Sequence, residues 1–361
     1  MDFLPWKEGL AYGLGAELEV RLHEEGSMHL VNAAPLVLDA LPLELSPFFY
    51  PEYLSSLLGL KTPLLPSALH VREFLEDLVE KTVQCGASFG AVVATSGVHA
   101  LPCDDVRFVR ALRDSALGHE YGILVRKFTI CGLHLQVGLP RSDDALRAYN
   151  CALEHLPVFI ALGANSAFFD GEETGLLGYR SKLFEQLPRA GMPSYFEEYY
   201  EMGELYHALF ASQSIGAFED IKWEVRINPL LGALEMRACD ASNDFIRMEL
   251  LGVLFQALCA YAQCKNGQWL FRQVLEQNRW NAIRYGLDGA FQTKREVQTL
   301  RAYAKEWIME MEKMGIFAQL GTQAYVPKLL LLLEHPTLAH LQKECFEKHR
   351  CLSEVERLGL F

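Results

Sequence analysis

The sequence predicts an α+β fold: a mainly antiparallel sheet with one polar face left open and helices packed on its apolar face. Three observations carry this. Four stretches alternate polar and apolar residues with the period of a half-buried strand, helix-spaced apolar residues lie between them, and after Asp240 nearly everything reads as helix. The 361 residues are expected to form a single domain, with a sheet-rich core over 10–242 and a helical part over 243–361.

The first strand, over 15–22, sets Glu17, Glu19 and Arg21 against Ala16, Leu18, Val20 and Leu22. A proline-bounded stretch over 47–66 closes this strand-rich opening. Ser67 is placed to cap a helix in which Val71, Phe74, Leu75, Leu78, Val79 and Val83 recur at helical spacing before Gly86. A short apolar strand over 87–95 ends in the turn Ser96-Gly97-Val98-His99. Asp104 and Asp105 open a second helix to about 117, with acidic residues at its positive end.

The next strand, over 127–139, aligns Gly132, His134 and Gln136. A helix follows from Ser142 to about Leu156, where Pro157 interrupts it. Residues 170–215 are rich in Gly, Pro, Glu and Tyr and read as long loops with short helices. Two further strands, over 222–228 and 233–238, align Glu224 with Arg226 and Glu235 with Arg237. The turn Asn228-Pro229-Leu230-Leu231-Gly232 between them has hairpin length. Helices are expected over 243–264, 266–277 and 293–314, followed by two shorter ones.

Composition narrows the function. A net charge of −13 argues against sequence-independent nucleic-acid binding, which needs Lys and Arg to neutralise phosphates. Residues 1–8 lack the basic and apolar regions of a secretory signal. No apolar stretch reaches the roughly 20 residues of a membrane span, so no membrane partner is expected. Nine cysteines with no CxxC pair speak against a zinc site and for reduced thiols in the cytoplasm.

Residues two apart on a strand lie ~6.5–7 Å apart along one face, so Glu17 and Glu19 could each reach a separate divalent cation. A hard cation such as Mg2+ prefers carboxylate oxygens and keeps substrate phosphates in its remaining positions. Glu235 beside Arg237, and Glu224 beside Arg226, add a carboxylate for metal and a planar guanidinium for phosphate. A single such strand is ordinarily the wet side of a sheet, and Glu–Arg ladders also arise for purely structural reasons. Four in one chain point to a floor for metal and phosphate, without naming a reaction.

The motifs resemble the glutamate–cysteine ligase 2 family of carboxylate–amine ligases, whose curved catalytic sheet is shared with glutamine synthetase. Gly15-Ala16-Glu17-Leu18-Glu19 resembles its G-x-E-x-E strand, and Cys131 to Gly138 its C-G-x-H-x-H-V-G segment. Ala164-Asn165-Ser166-Ala167-Phe168, with Thr174-Gly175 and Tyr179-Arg180-Ser181, resembles its A-N-S-P-F, T-G and Y-R elements. Trp223-Glu224-Val225-Arg226 resembles W-D-x-R, and Glu235 to Ala241 resembles E-x-R-x-C-D-A. Residues 278–288 fit N-x-W-x-A-x-R-x-G-L-D.

The resemblance implies an ATP- and Mg2+-dependent ligase joining an amino-acid carboxylate, of the γ-glutamyl type, to an amine through an acyl phosphate. It assigns metal binding to Glu17, Glu19, His134 and Glu235. Arg226, Arg237 and Glu224 take the catalytic places, with Arg226, Arg237 and Glu235 also on the nucleotide. His99, Asn165, Ser166, Gln136 and Arg180 take substrate contacts, and the family suggests a homodimer.

Four positions depart from the family's pattern. Gln136 stands for a histidine, Glu224 for aspartate, Ala167 for a loop proline and Gly59 for a glutamate. The alternative is therefore a degenerate member that binds a ligand or partner with little or no ligase activity.

Overall fold

The computed structural model describes residues 4–103, 120–122, 124, 128–265 and 267–361. Seven strands form one sheet: β1 (Leu14–Glu24), β2 (Phe49–Pro51), β3 (Leu57–Lys61), β4 (Ala91–Ala94), β5 (Gly132–Gly138), β6 (Val225–Asn228) and β7 (Ala233–Asp240). Their order is β6–β7–β5–β1–β3–β2, and β4 pairs with the far end of β1. Every pairing in this sheet is antiparallel.

Register sets the site. Glu17 lies opposite His134 on β5, and Glu19 lies opposite Gly59 on β3. Glu235 is flanked by Arg226 on β6 and Gln136 on β5. A register shift in β7 between Met236 and Cys239 inserts an extra residue there, which brings Arg237 beside His134.

The other face is apolar. Leu18, Val20, Leu22, Leu133, Leu135, Val137, Leu234 and Met236 are buried in one core with helical residues such as Leu75, Leu78, Leu153 and Leu254. The Ala68–Ala87 helix starts where expected, its cap Ser67 accepting from the His70 amide. The Phe245–Tyr261 helix is buried from Arg247 to Tyr261, as a helix apolar on every side must be.

Four elements differ from expectation. The Ser142–Gly163 helix runs straight past Pro157. Proline in a helix interior costs ~3 kcal/mol, but every residue from Ala148 to Gly163 is buried, and that packing outweighs the lost hydrogen bond. The stretch 293–314 opens instead with a small hairpin, Ala290–Gln292 with Val297–Thr299, before the Leu300–Lys313 helix. The helix expected over 266–277 spans Arg272–Tyr285: Glu154 accepts from the Gln268 and Trp269 amides, and Trp269 stands at φ 52°, a left-handed conformation that a right-handed helix cannot include. A short helix at Ala34–Ala40 lies within the opening read as strand-rich. The helix expected over 104–117 lies outside the described residues. Among the described residues no helix is long and apolar enough to cross a membrane.

Candidate active site

The polar face of β1, β5, β6 and β7 floors a cavity of about 780 Å³. Glu17, Glu19, His134, Gln136, Arg180, Arg226, Glu235 and Arg237 all line it, so eight residues singled out from sequence meet in one place. Glu17 takes two contacts: its Oε1 accepts from Gln136 Nε2 at 2.9 Å, and its Oε2 lies 3.1 Å from His134 Nδ1. Glu19 Oε2 accepts from the Gly132 amide at 2.6 Å, while its Oε1 lies 3.8 Å from His134 Nε2. Both carboxylates are thus held against the same imidazole.

Burial opposes the ionisation of Glu17, but hydrogen bonding to His134 and the charges of His134, Arg237 and Arg226 hold its carboxyl down at about 2. Burial and the neighbouring Arg237 push His134 down, which favours the neutral imidazole that ligates metal. Burial also lowers Arg237, helped by Arg226.

Glu235 is almost fully buried, and its oxygens are already committed. Arg226 donates to its Oε2 from Nε at 2.9 Å and Nη2 at 2.6 Å, and Asn228 donates to its Oε1 at 2.8 Å. Arg237 Nη1 stands 3.7 Å from the same Oε2 and 3.4 Å from His134 Nδ1.

Four of the residues expected at the site are placed elsewhere. Glu224 is not on the cavity wall; it forms a buried pair with Arg279, at 2.7 and 2.6 Å. The physical reason is a break in the strand. Lys222 and Trp223 pair with Ala190 and Gly191 in a separate parallel ladder, so alternation does not carry across Glu224 into β6. His99 is fully buried, its Nδ1 3.3 Å from Glu356 and its ring 5.3 Å from His23. Asn165 and Ser166 sit behind the wall. Asp240 accepts from the Asn165 amide at 2.8 Å and from the Ser166 hydroxyl at 2.6 Å. The Ser166 hydroxyl then accepts from the Arg180 amide at 3.1 Å, so this loop positions Arg180 instead of touching the cavity.

Among the lining residues that sequence reasoning did not single out are Glu52, Tyr50 and Lys222. Glu52 lies in the turn between β2 and β3, where no alternation marks it. Burial and then Glu19 push its carboxyl well above the usual range, the signature of a third acid crowded onto the same floor. Tyr50 covers Gly59: a Cβ built on Gly59 would lie 2.1 Å from the Tyr50 ring. Glu17, Glu19 and Glu52 with one imidazole are donors of the chemical kind that Mg2+ or Mn2+ takes, whereas the described residues whose ligand atoms already lie within 4.8 Å of one another are His23, His99 and Glu356.

Solved structures share this fold. The glutamate–cysteine ligase of Francisella tularensis, crystallised with AMP, matches with a TM-score of 0.70 at 13% identity, covering 98% of this chain and 89% of that one. A bifunctional glutathione synthetase from Pasteurella multocida matches at 0.62 and 15% identity, over 96% of this chain and 50% of that one. The fold is that of these two solved structures, and the family match places the chain among the ATP-dependent ligases that form amide bonds. The chain belongs to glutamate–cysteine ligase family 2, whose sequence model matches residues 14–340. Among its relatives, a provisionally named glutamate–cysteine ligase 2 of Gloeobacter violaceus is 28% identical over 98% of this chain and 97% of its own length. One from Rubrobacter xylanophilus, also provisionally named, is 30% identical over 95% of each.

Proposed function

We propose that the cavity joins the carboxylate of glutamate, or of a closely related amino acid, to an amine through an acyl phosphate made from ATP. The observation that supports this most is the convergence of Glu17, Glu19, Glu52, His134 and Arg237 on one buried floor. A carboxylate oxygen of the acid attacks the γ-phosphorus, and the bond to the bridging oxygen breaks to release ADP. The amine nitrogen then attacks the acyl carbon, phosphate leaves and the nitrogen gives up a proton.

This chain's residues position and neutralise. Glu17, Glu19, Glu52 and His134 would hold Mg2+, which supplies positive charge against the phosphate oxygens. Arg237 adds a fixed guanidinium where negative charge develops. The Gln136 amide, fixed by Glu17, presents a hydrogen-bonding edge to substrate, and Arg180 faces the same space. Nine free cysteines support a cytoplasmic setting.

The test is phosphate release from ATP and Mg2+ with glutamate and a panel of amines, with the product identified by mass spectrometry. An amide product is expected. One observation favours the second reading, a member that binds without turnover: the Tyr50 ring fills the floor over Gly59, opposite Glu19. Bound Mg-ATP with no turnover for any pair would establish that reading.

A further inference from the structure

Lys222 shares with Arg226 the face that alternation over 222–228 defines, but the two cations differ in what already occupies them. Arg226, the arginine expected to contact phosphate, is already occupied. Its Nε and Nη2 donate to Glu235, and its Nη1 donates to the carbonyls of Ile221 at 2.9 Å and Glu219 at 3.3 Å. At most one of its N–H donors remains for a ligand. Arg226 is a strut that holds Glu235 and the 218–221 turn to the sheet edge.

Four other cations line the same space. The Arg180 guanidinium already donates to the Arg237 and Cys239 carbonyls and the Lys61 ammonium lies over the Tyr50 ring, which leaves Arg237 and Lys222. Arg237 keeps its Nε buried without a hydrogen-bond partner. Lys222 lines the cavity, its backbone tied down where its amide donates to the Arg189 carbonyl at 2.8 Å. Among the described residues its ammonium makes no ion pair or hydrogen bond. Burial, then Arg237 and Arg226, push it down to about 8, a cost that a bound anion would relieve.

We propose that Lys222 and Arg237 form the anion subsite of the cavity, taking charged oxygens of a substrate while Arg226 stays structural. Phosphate oxygens of the nucleotide and a second carboxylate of the acid share this chemistry. In the second case the acid substrate carries an anionic group beyond the one that is activated. The inference rests on the ligase reading for the identity of those substrates, but not for the existence of the subsite.

Calorimetry on the full chain with MgCl2 separates the sources, titrating a non-hydrolysable ATP analogue in one arm and glutamate in the other. Lys222→Met should weaken one arm by about tenfold or more, with Lys222→Arg recovering most of it, because a charge-assisted contact is lost and then restored. The weakened arm names the source. Melting temperature is the control: Lys222→Met should not lower it, since an unpaired charge is removed, whereas Arg226→Gln should lower it. Unchanged affinity in both arms for Lys222→Met, or no binding of either anion by the unaltered protein, would overturn the subsite. Loss of turnover alone, with anion binding intact and dependent on Lys222, would overturn only the ligase reading.

Discussion

Glu235 shows how one residue joins stability to chemistry. It is buried, takes both the Arg226 fork and the Asn228 amide, and stands next to Arg237. Glu235→Ala leaves Arg226 buried without its counter-charge, so a loss of about 3–5 kcal/mol is expected in urea unfolding. Glu17→Gln tests chemistry with less structural cost. It keeps the shape but removes a carboxylate from the metal-binding floor. Mg2+-dependent turnover should fall by roughly 100-fold or more, since even residues that only orient metal ligands are worth about 10–100-fold. A Glu17→Gln variant with near-normal kcat would refute the metal role.

At the scale of elements, close approach between strands and loops sets the cavity's shape. Gly132 begins β5 directly under Arg180: a Cβ there would come within 2.1 Å of Arg180 Nη2 and 3.0 Å of His134 Nε2. Gly132→Ala should therefore displace Arg180 and raise KM for the amino-acid substrate more than it lowers stability. Gly59 is the matching position on β3, against the Tyr50 ring. Gly59→Ala should cost about 1–3 kcal/mol by overpacking. Gly26 has nothing within 4 Å of its Cβ position and should tolerate the same change in the same denaturation assay.

At the scale of the molecule, the C-terminal residues lock onto the sheet. Glu356 reaches Arg21 on β1 at 3.4 Å and His99 at 3.3 Å, all three buried. Burial works to raise its carboxyl, but the charges of His99 and Arg21 hold it well below 4.5. That stability is present above about pH 4.5 and is lost as pH falls below it. Asp240 has the opposite sign: burial raises its carboxyl from 3.8 to about 6. Its contribution is present below about pH 4 and is lost as pH rises through about 6. Melting temperatures from pH 3 to 7 should show Glu356→Gln flattening the loss on the acid side and Asp240→Asn removing a fall between pH 4 and 6. Unchanged profiles in both variants would refute these assignments.

Much of the site was legible because a strand's period is two. Once Glu17, Glu19, His134, Gln136, Glu235 and Arg237 are placed on strands, alternation alone puts them on one face, and the ladder needs only antiparallel pairing to bring them together. Alternation reports a face, however, and not a partner. The break in strand pairing at Glu224 turned an expected catalytic carboxylate toward Arg279. The fork on Glu235 turned Arg226 from an expected phosphate ligand into a strut. Glu52 comes from a turn that leaves no periodic trace, and Lys222, although alternation sets it with Arg226, is paired in a separate two-residue parallel ladder. By itself, then, the sequence determined the polar floor through local periodicity, while its motifs carried the resemblance that implied a class of chemistry. Only the tertiary structure decided which charges are neutralised by each other and which remain free for a ligand, because that depends on contacts between residues far apart in the chain.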